Sequence, residues 1–353
     1  MGIEEIHDIA HRYTNSPCDI NQISGGHINQ TYHVSSSTEE FILQLINEKV
    51  FEDTQLLNRN IKRISQQLKS CDYPYEPIEI LDTLTGESHI LANNLCWRAL
   101  KYIPNGIVFE KTKDMQLIEK TARAFGEFSM CFIDVDPSLI GVTIKRFHDP
   151  EMRFQQFMKA IDSATKNILN TSKSCIEHGL ALSSISSEYQ ILIKDLPKRV
   201  THNDAKIGNV LFDQLGNIKA IIDFDTVMPG YLMHDFGDMA RSMCNSVEED
   251  ENLPNVNFSV QIFHSLAKGY LSVLEPVMTD QEILSLIPGI KTVIYTQFIR
   301  FLTDYLNGNT YYTIDYPEHN LNRAKVQLKL LLDFLQKESE LEIILQNSVN
   351  QKN

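Results

Sequence analysis

The sequence predicts an α+β chain of two lobes, a small β-rich one first and a larger, mainly helical one after it. Three observations predict this. Up to residue 103 the chain reads as short β-type runs, broken by Gly-Gly, Ser-Ser-Ser, Thr-Gly and Asn-Asn. A Pro-Asn-Gly turn follows at 104–106. From residue 112 onward the apolar spacing becomes helical, interrupted by one hairpin. The boundary falls between 1–103, with its linker, and 104–353.

In order, "CDINQIS", "INQTYHVSS" and "EEFILQLI" predict three strands. "FEDTQLLNRNIKRISQQLK" follows, with Leu56, Leu57, Ile61, Ile64 and Leu68 on one helical face. "EPIEILDTLTGESHILANNLCWRALKYI" predicts three more strands, so the first lobe reads βββαβββ. In the second lobe, "DMQLIEKTARAFGEFSMCF", "PEMRFQQFMKAIDSATKNIL", "NVNFSVQIFHSLAKGYLSVL" and "LNRAKVQLKLLLDFLQ" predict helices. "GNVLFDQLGNIKAIIDFD" reads as strand, Leu-Gly-Asn turn, strand.

Composition excludes several classes. At 353 residues and 42% apolar, the chain can bury about two ordinary cores. A net charge of −14 argues against nucleic-acid or anionic-membrane partners. The six cysteines form no C-x-x-C pair, which predicts free thiols in a reducing compartment. "MGIEEIHDIAHRY" lacks a signal-peptide core, and Ile6 breaks a myristoylation match. No apolar run approaches the roughly 20 residues that span a bilayer. A cytoplasmic, soluble monomer is the expectation.

Two polar clusters bracket the hairpin. "THNDAKIGN" precedes its first strand and "IIDFD" ends its second. A tight hairpin would bring Asp204, Asn209, Asp223 and Asp225 to one mouth. Oxygen ligands so crowded call for a hard cation such as Mg²⁺, which keeps positions open for phosphate oxygens. The spacing His202-x-Asp204-x-x-x-x-Asn209 matches the catalytic loop of protein kinases. Asp223 follows 19 residues later (223 − 204), where kinases place their metal-binding Asp.

Here the chain resembles the aminoglycoside phosphotransferase family, whose loop usually reads H-G-D-x-x-x-x-N, and within it the bacterial N-acetylhexosamine 1-kinases. "GGHINQTYHV", "HNDAKIGNVLFD", "IIDFDTVMPG", "HDFGDMAR" and "RFLTDYLNGNTYY" carry the resemblance, across residues 24 to 312. It implies a bilobal protein-kinase-like fold whose first lobe covers the nucleotide and whose second lobe does the chemistry and holds the acceptor. It implies ATP and Mg²⁺ as cofactors and a sugar as acceptor. Asp204 would accept the proton of the sugar hydroxyl. Lys206 would offset phosphoryl charge, or else be a solvated surface charge. Asn209 and Asp223 would hold Mg²⁺. Asp225 would join them, hold a metal-bound water, or merely form a turn. His202 would brace the loop.

Ser24, Gly25, Gly26 and His27 would form a loop over the phosphates, the bland alternative being an ordinary hairpin turn. Asn29 belongs to the same motif, with no role readable. Adenine would dock on Leu100, Lys101, Tyr102 and Ile103. On the acceptor side the resemblance implies Arg300 and Tyr311. An Arg300–Asp304 pair at i, i+4 is otherwise a common surface ion pair.

One departure stands out. Kinases place a Lys on the third strand, and "FILQLIN" offers Gln44, as N-acetylhexosamine 1-kinases also do. Lys62 or Arg63 would be the compensating cation. Asp235-Phe236-Gly237 spells the kinase DFG triplet but lies 31 residues past Asp204 (235 − 204), so Asp235 reads as a helix cap or a bracing carboxylate. Competing readings are a kinase for choline, homoserine or an aminoglycoside, an inactive nucleotide-binding homologue, and a metal phosphohydrolase using His202, Asp204, Asp223, His234 and Asp235.

Overall fold

The computed structural model describes residues 3–23, 28–247 and 253–350. In chain order the first elements are α1 (Ile3–Ala10), β1 (Cys18–Ile23), β2 (Gln30–Ser36), β3 (Glu40–Leu45), α2 (Thr54–Ser70), β4 (Ile80–Leu81), β5 (Ile90–Ala92), β6 (Leu95–Lys101) and β7 (Ile107–Val108). Then come α3 (Met115–Met130), α4 (Pro150–Ser163), α5 (Lys166–Ala181), α6 (Ser184–Leu192), β8 (Arg199–Thr201), β9 (Val210–Phe212), β10 (Ile218–Ile221) and β11 (Met228–Gly230). Helices α7 (Leu232–Met243), α8 (Val260–Leu274), α9 (Asp280–Leu306) and α10 (His319–Asn350) complete the chain.

The chain forms two compact units. The first comprises Met1–Ile107, Asp136–Lys145 and Leu211–Pro229, and the second comprises Val108–Val135, Arg146–Val210 and Gly230–Asn353. Most of the hairpin therefore belongs with the β-rich unit, although it sits in the midst of helical sequence.

In the first unit the strands run in the order β1-β2-β3-β6-β4, with β5 beside β6, all antiparallel. Strand alternation assigns the two faces. Tyr32, Val34, Phe41, Leu43, Trp97 and Ala99 form one core with Ile6, Ile9 and Ala10 of α1. Ile46 and Cys96 form a second with Phe51 and with Leu57 of α2. Gln44 and Arg98 share the parity of this second face and stand opposite one another across β3 and β6. Helix α1 precedes the expected βββαβββ order.

The second unit packs around α9, which touches α4, α5, α6, α7 and α10, while α3 packs on α8. Thr279 and Glu282 close a capping box at the start of α9. The expected single helix over 150–169 is two helices. Ala164 ends α4, and Thr165 caps α5 by accepting the Ile168 N–H at 3.5 Å.

The expectation of six free thiols needs correction. Cys18, Cys96, Cys175 and Cys244 are free, whereas Cys71 and Cys131 are disulfide-bonded. Among the described residues no helix is long and apolar enough to cross a membrane.

Candidate active site

The candidate residues lie on a loop of the second unit and on a turn of the first. The loop follows β8. Arg199, at the start of β8, donates to Glu282 at 2.9 and 3.2 Å and to the Ile133 carbonyl at 2.8 Å, which ties the strand to α9 and to the turn after α3. His202 is fully buried, edge-on to the Phe125 ring at 5.3 Å. The backbone N–H groups of His202 and Asn203 donate to the two carboxylate oxygens of Asp235 at 2.8 and 2.6 Å. Asp235 is thus the bracing carboxylate. The capping alternative is corrected, because α7 begins at Leu232 with Tyr231 at its N-cap.

Asn203 sits at φ 64°, in the left-handed region. The family's usual glycine at this position meets the same demand, and Asn is among the few other residues that tolerate it. The Asn203 carbonyl accepts from His148 Nε2 at 2.8 Å.

Asp204 is then presented with its side chain 26% exposed. Asn209 Nδ2 donates to its Oδ2 at 2.7 Å and to its backbone carbonyl at 2.8 Å. Lys206 Nζ lies 3.1 Å from the same Oδ2. Burial works to raise the Asp204 pKa, but Lys206, His202 and the Asn209 hydrogen bond outweigh it and hold it at about 2. Asp204 is therefore an ionised acceptor at neutral pH. Burial pushes Asp235 up to about 7 against the two N–H groups that favour its charge.

The turn in the first unit ends the hairpin. Asp223 is exposed and sits at φ 66°, also left-handed. Asp225, two residues on, is only 2% exposed. Arg98 Nη2 lies 2.7 and 2.9 Å from its two oxygens, Asn29 Nδ2 donates to Oδ2 at 2.7 Å, and Thr143 Oγ1 donates to its carbonyl at 2.8 Å.

These contacts test the expected Mg²⁺ ligands. Asn209, whose Nδ2 is spent on Asp204, keeps Oδ1 for a cation, and the exposed Asp223 carboxylate is a hard oxygen donor; both suit Mg²⁺. Asp225 does not, because its carboxylate is committed to Arg98 and Asn29. Its assignment as a metal ligand is corrected.

Gln44 and Arg98 account for the departure on β3. Gln44 Oε1 accepts from Arg98 Nε at 2.9 Å and Nη2 at 2.7 Å. Lys62 and Arg63, the expected compensating cations, are engaged elsewhere, with Asp82 and with the Leu139 carbonyl. Leu100 and Lys101 end β6, the Tyr102 ring packs tilted on His33 with centroids 4.4 Å apart, and Ile103 is buried. Ser24, Gly25, Gly26 and His27 lie outside the described residues.

The expected acceptor residues cluster at the end of α9. Arg300 donates to Gln297 at 3.1 Å and lies over the rings of Phe147 and Tyr312 at 5.4 and 5.6 Å. Asp304 is not its ion-pair partner. It is 4% exposed and accepts the backbone N–H groups of Thr310, Tyr311 and Tyr312 at 2.9, 2.8 and 3.0 Å, which shapes the following turn. Tyr311 on that turn is 53% exposed. Arg153 donates to the Phe147 carbonyl at 3.3 Å, and burial together with the Arg300 charge pulls its pKa down to about 10. The His148 ring packs tilted against His234 with centroids 4.6 Å apart, and burial lowers its pKa to about 4. His234 and Asp235 thus serve packing and bracing, which removes the phosphohydrolase reading.

Sequence reasoning missed Arg98, His148 and Tyr312. Only Arg98 had a sequence signal, as a charge in an otherwise apolar strand, "LCWRALK".

Solved structures share this fold. A microcompartment-associated aminopropanol kinase superposes with TM-score 0.65 at 14% identity, covering 96% of this chain and 98% of its own. A spectinomycin phosphotransferase in complex with ADP and its antibiotic gives TM-score 0.62 at 14% identity, with the same coverage. Choline kinase from Cryptosporidium parvum Iowa II gives 0.54 at 16% identity over 100% of both chains. The fold is the bilobal kinase-like one expected, a β-sheet region followed by a mostly helical one. The model of the phosphotransferase enzyme family (APH) matches residues 19–257, and with Asp204, Asn209 and Asp223 placed as described, the chain belongs to that family.

Proposed function

We propose that the protein is an ATP- and Mg²⁺-dependent kinase that phosphorylates the anomeric hydroxyl of an N-acetylhexosamine, N-acetylglucosamine or N-acetylgalactosamine. Residues 1–103 would cover the nucleotide, and 104–353 would carry catalysis and the acceptor. The sugar oxygen attacks the γ-phosphorus, the bond to the β–γ bridging oxygen breaks, ADP leaves, and the proton passes to Asp204 late in the step. A carboxylate with a pKa of about 2 is a weak base, so it suits the most acidic hydroxyl of a sugar, the anomeric one. Lys206 offsets charge on the transferring group. Mg²⁺, when bound, neutralises the triphosphate; Asn209 and Asp223 are the residues that would hold it.

The observation that carries the acceptor assignment is Arg300 stacked on Phe147 and Tyr312, with Arg153 close by. Several similar structures are named for amine or aminoglycoside acceptors. A cationic acceptor is repelled by two guanidinium groups, whereas a neutral sugar gains planar faces and fixed donors from them. Arg300 and Tyr311 would contact the sugar, with Ser24, Gly25, Gly26, His27, Gln44, Leu100, Tyr102 and Ile103 around the nucleotide. Nothing in this scheme needs a second subunit, and ATP supply suits a cytoplasmic monomer.

ADP release with N-acetylglucosamine, N-acetylgalactosamine, choline, ethanolamine, homoserine and kanamycin tests the reading. Turnover on the two acetylated sugars is expected. Turnover confined to the amines would replace it with the choline-kinase reading, and none on any acceptor, despite ATP binding, with an inactive homologue.

A further inference from the structure

A kinase-like sheet usually carries a lysine on its third strand, and here Gln44 occupies that place. The structure shows why a lysine would not fit. Gln44 faces Arg98 in register across β3 and β6, and its Oε1 accepts twice from that guanidinium. A lysine there could only donate, and would set a second cation against a buried one. Arg98 is 2% exposed, and the Nη2 that donates to Gln44 also lies 2.7 and 2.9 Å from the two carboxylate oxygens of Asp225. Asp225 is further tied by Asn29 and Thr143, and Asn29 Oδ1 accepts the backbone N–H of Asn47 at 3.0 Å. A continuous chain of bonds thus runs from β3 through β6 to the segment beside Asp223, all within the first unit. Asp223 itself sits at φ 66°, in the left-handed region, which Asp tolerates better than most residues with a side chain.

We propose that Arg98 replaces the missing lysine as a positioning residue: through Asp225 it fixes the turn that presents Asp223 to the nucleotide's metal. This rests on the kinase reading of Asp223 but not on which acceptor is used.

The test is calorimetric titration of ADP, with Mg²⁺ and with EDTA, in the absence of any acceptor. In the wild type Mg²⁺ is expected to strengthen ADP binding. In Arg98→Gln that strengthening falls by about tenfold or more, as when a partner orienting a metal ligand is removed, while ADP binding in EDTA is unchanged. Arg98→Lys restores part of it. Should Arg98→Gln not fold, because Asp225 is left charged and unpaired, Arg98→Gln with Asp225→Asn removes both charges and should show the same loss. Wild-type Mg²⁺ strengthening in either variant overturns the proposal. So does an equal weakening of ADP with and without Mg²⁺, which would mean that Arg98 touches the phosphates directly. A wild type whose ADP binding ignores Mg²⁺ overturns it as well. Should the acceptor prove not to be a sugar, these titrations stand unaltered, so the two failures are separable.

Discussion

Asp204 is held ionised by neighbours that outweigh its burial, and this fixes what it can do. Asp204→Ala should lower turnover by roughly 10²–10⁴-fold with an unchanged melting temperature, as expected for loss of a general base. A wild-type rate would remove Asp204 from the chemistry. Its pKa of about 2 lies below the usual carboxylate value, so its ionised form is the one the fold favours. Its stabilising contribution is complete above about pH 4 and disappears as pH falls toward 2. The pH profile of kcat/KM should accordingly show no acid limb from this residue above about pH 4. Asp235 has the opposite sign. Its pKa is raised to about 7, so its protonated form is favoured on folding, fully below about pH 4, and that contribution fades as pH rises to 7. Thermal melts of Asp235→Asn between pH 4 and 7 should lack this slope. Residue types and spacing single out Asp204, Asn209 and Asp223 in the sequence, and Asp204 and Asn209 meet because they lie within one short loop. The surroundings of Asp225 were not legible because its partner Arg98 lies far along the chain, and those of Asp304 because its partners are backbone N–H groups of the following turn at 310–312, which carry no sequence signal.

At the scale of elements, the strands were read correctly where period-two alternation was clean, and the long helices where the apolar stripe was unbroken. The alternation that puts Trp97 in one core also puts Arg98 on the opposite face, but no sequence pattern says what Arg98 meets there. The α4–α5 break was written in "SAT", where Thr165 offers an N-cap, and was overridden by the continuing apolar spacing. Two close approaches shape the loop region of the second unit. A Cβ on Gly230 would collide with Thr201 Oγ1 and come within 2.7 Å of Asn203 Oδ1, and these two side chains bond each other at 3.0 Å. Gly230→Ala should cost about 1–3 kcal/mol, read from denaturant melts, and should lower kcat by disturbing Asn203. The turn cradled by Asp304 predicts a different signature. Asp304→Ala should raise the acceptor KM while leaving the KM for ATP unchanged, since the carboxylate holds the backbone that carries Tyr311 and Tyr312 and ties it to Asn320 of α10 at 2.8 Å. Equal rises in both constants would place Asp304 in general stability instead.

At the scale of the molecule, the order β-rich then helical followed directly from the switch in apolar period. The return of 136–145 and 211–229 to the first unit did not, because only the folded chain shows which sheet a late hairpin joins. Mg·ATP at a hundredfold excess over its dissociation constant should stabilise the protein by about 2.7 kcal/mol, seen as a rise of a few degrees in Tm. The net charge of −14 neither helps nor specifies the binding of an anionic nucleotide. The proposal that phosphate is transferred to the anomeric oxygen is tested most directly by nuclear magnetic resonance of the product formed from ATP, Mg²⁺ and N-acetylglucosamine. The account predicts a phosphorus signal coupled to the proton on C1 of the sugar. Coupling to the C6 protons, or phosphate found only on an amino alcohol, would contradict it.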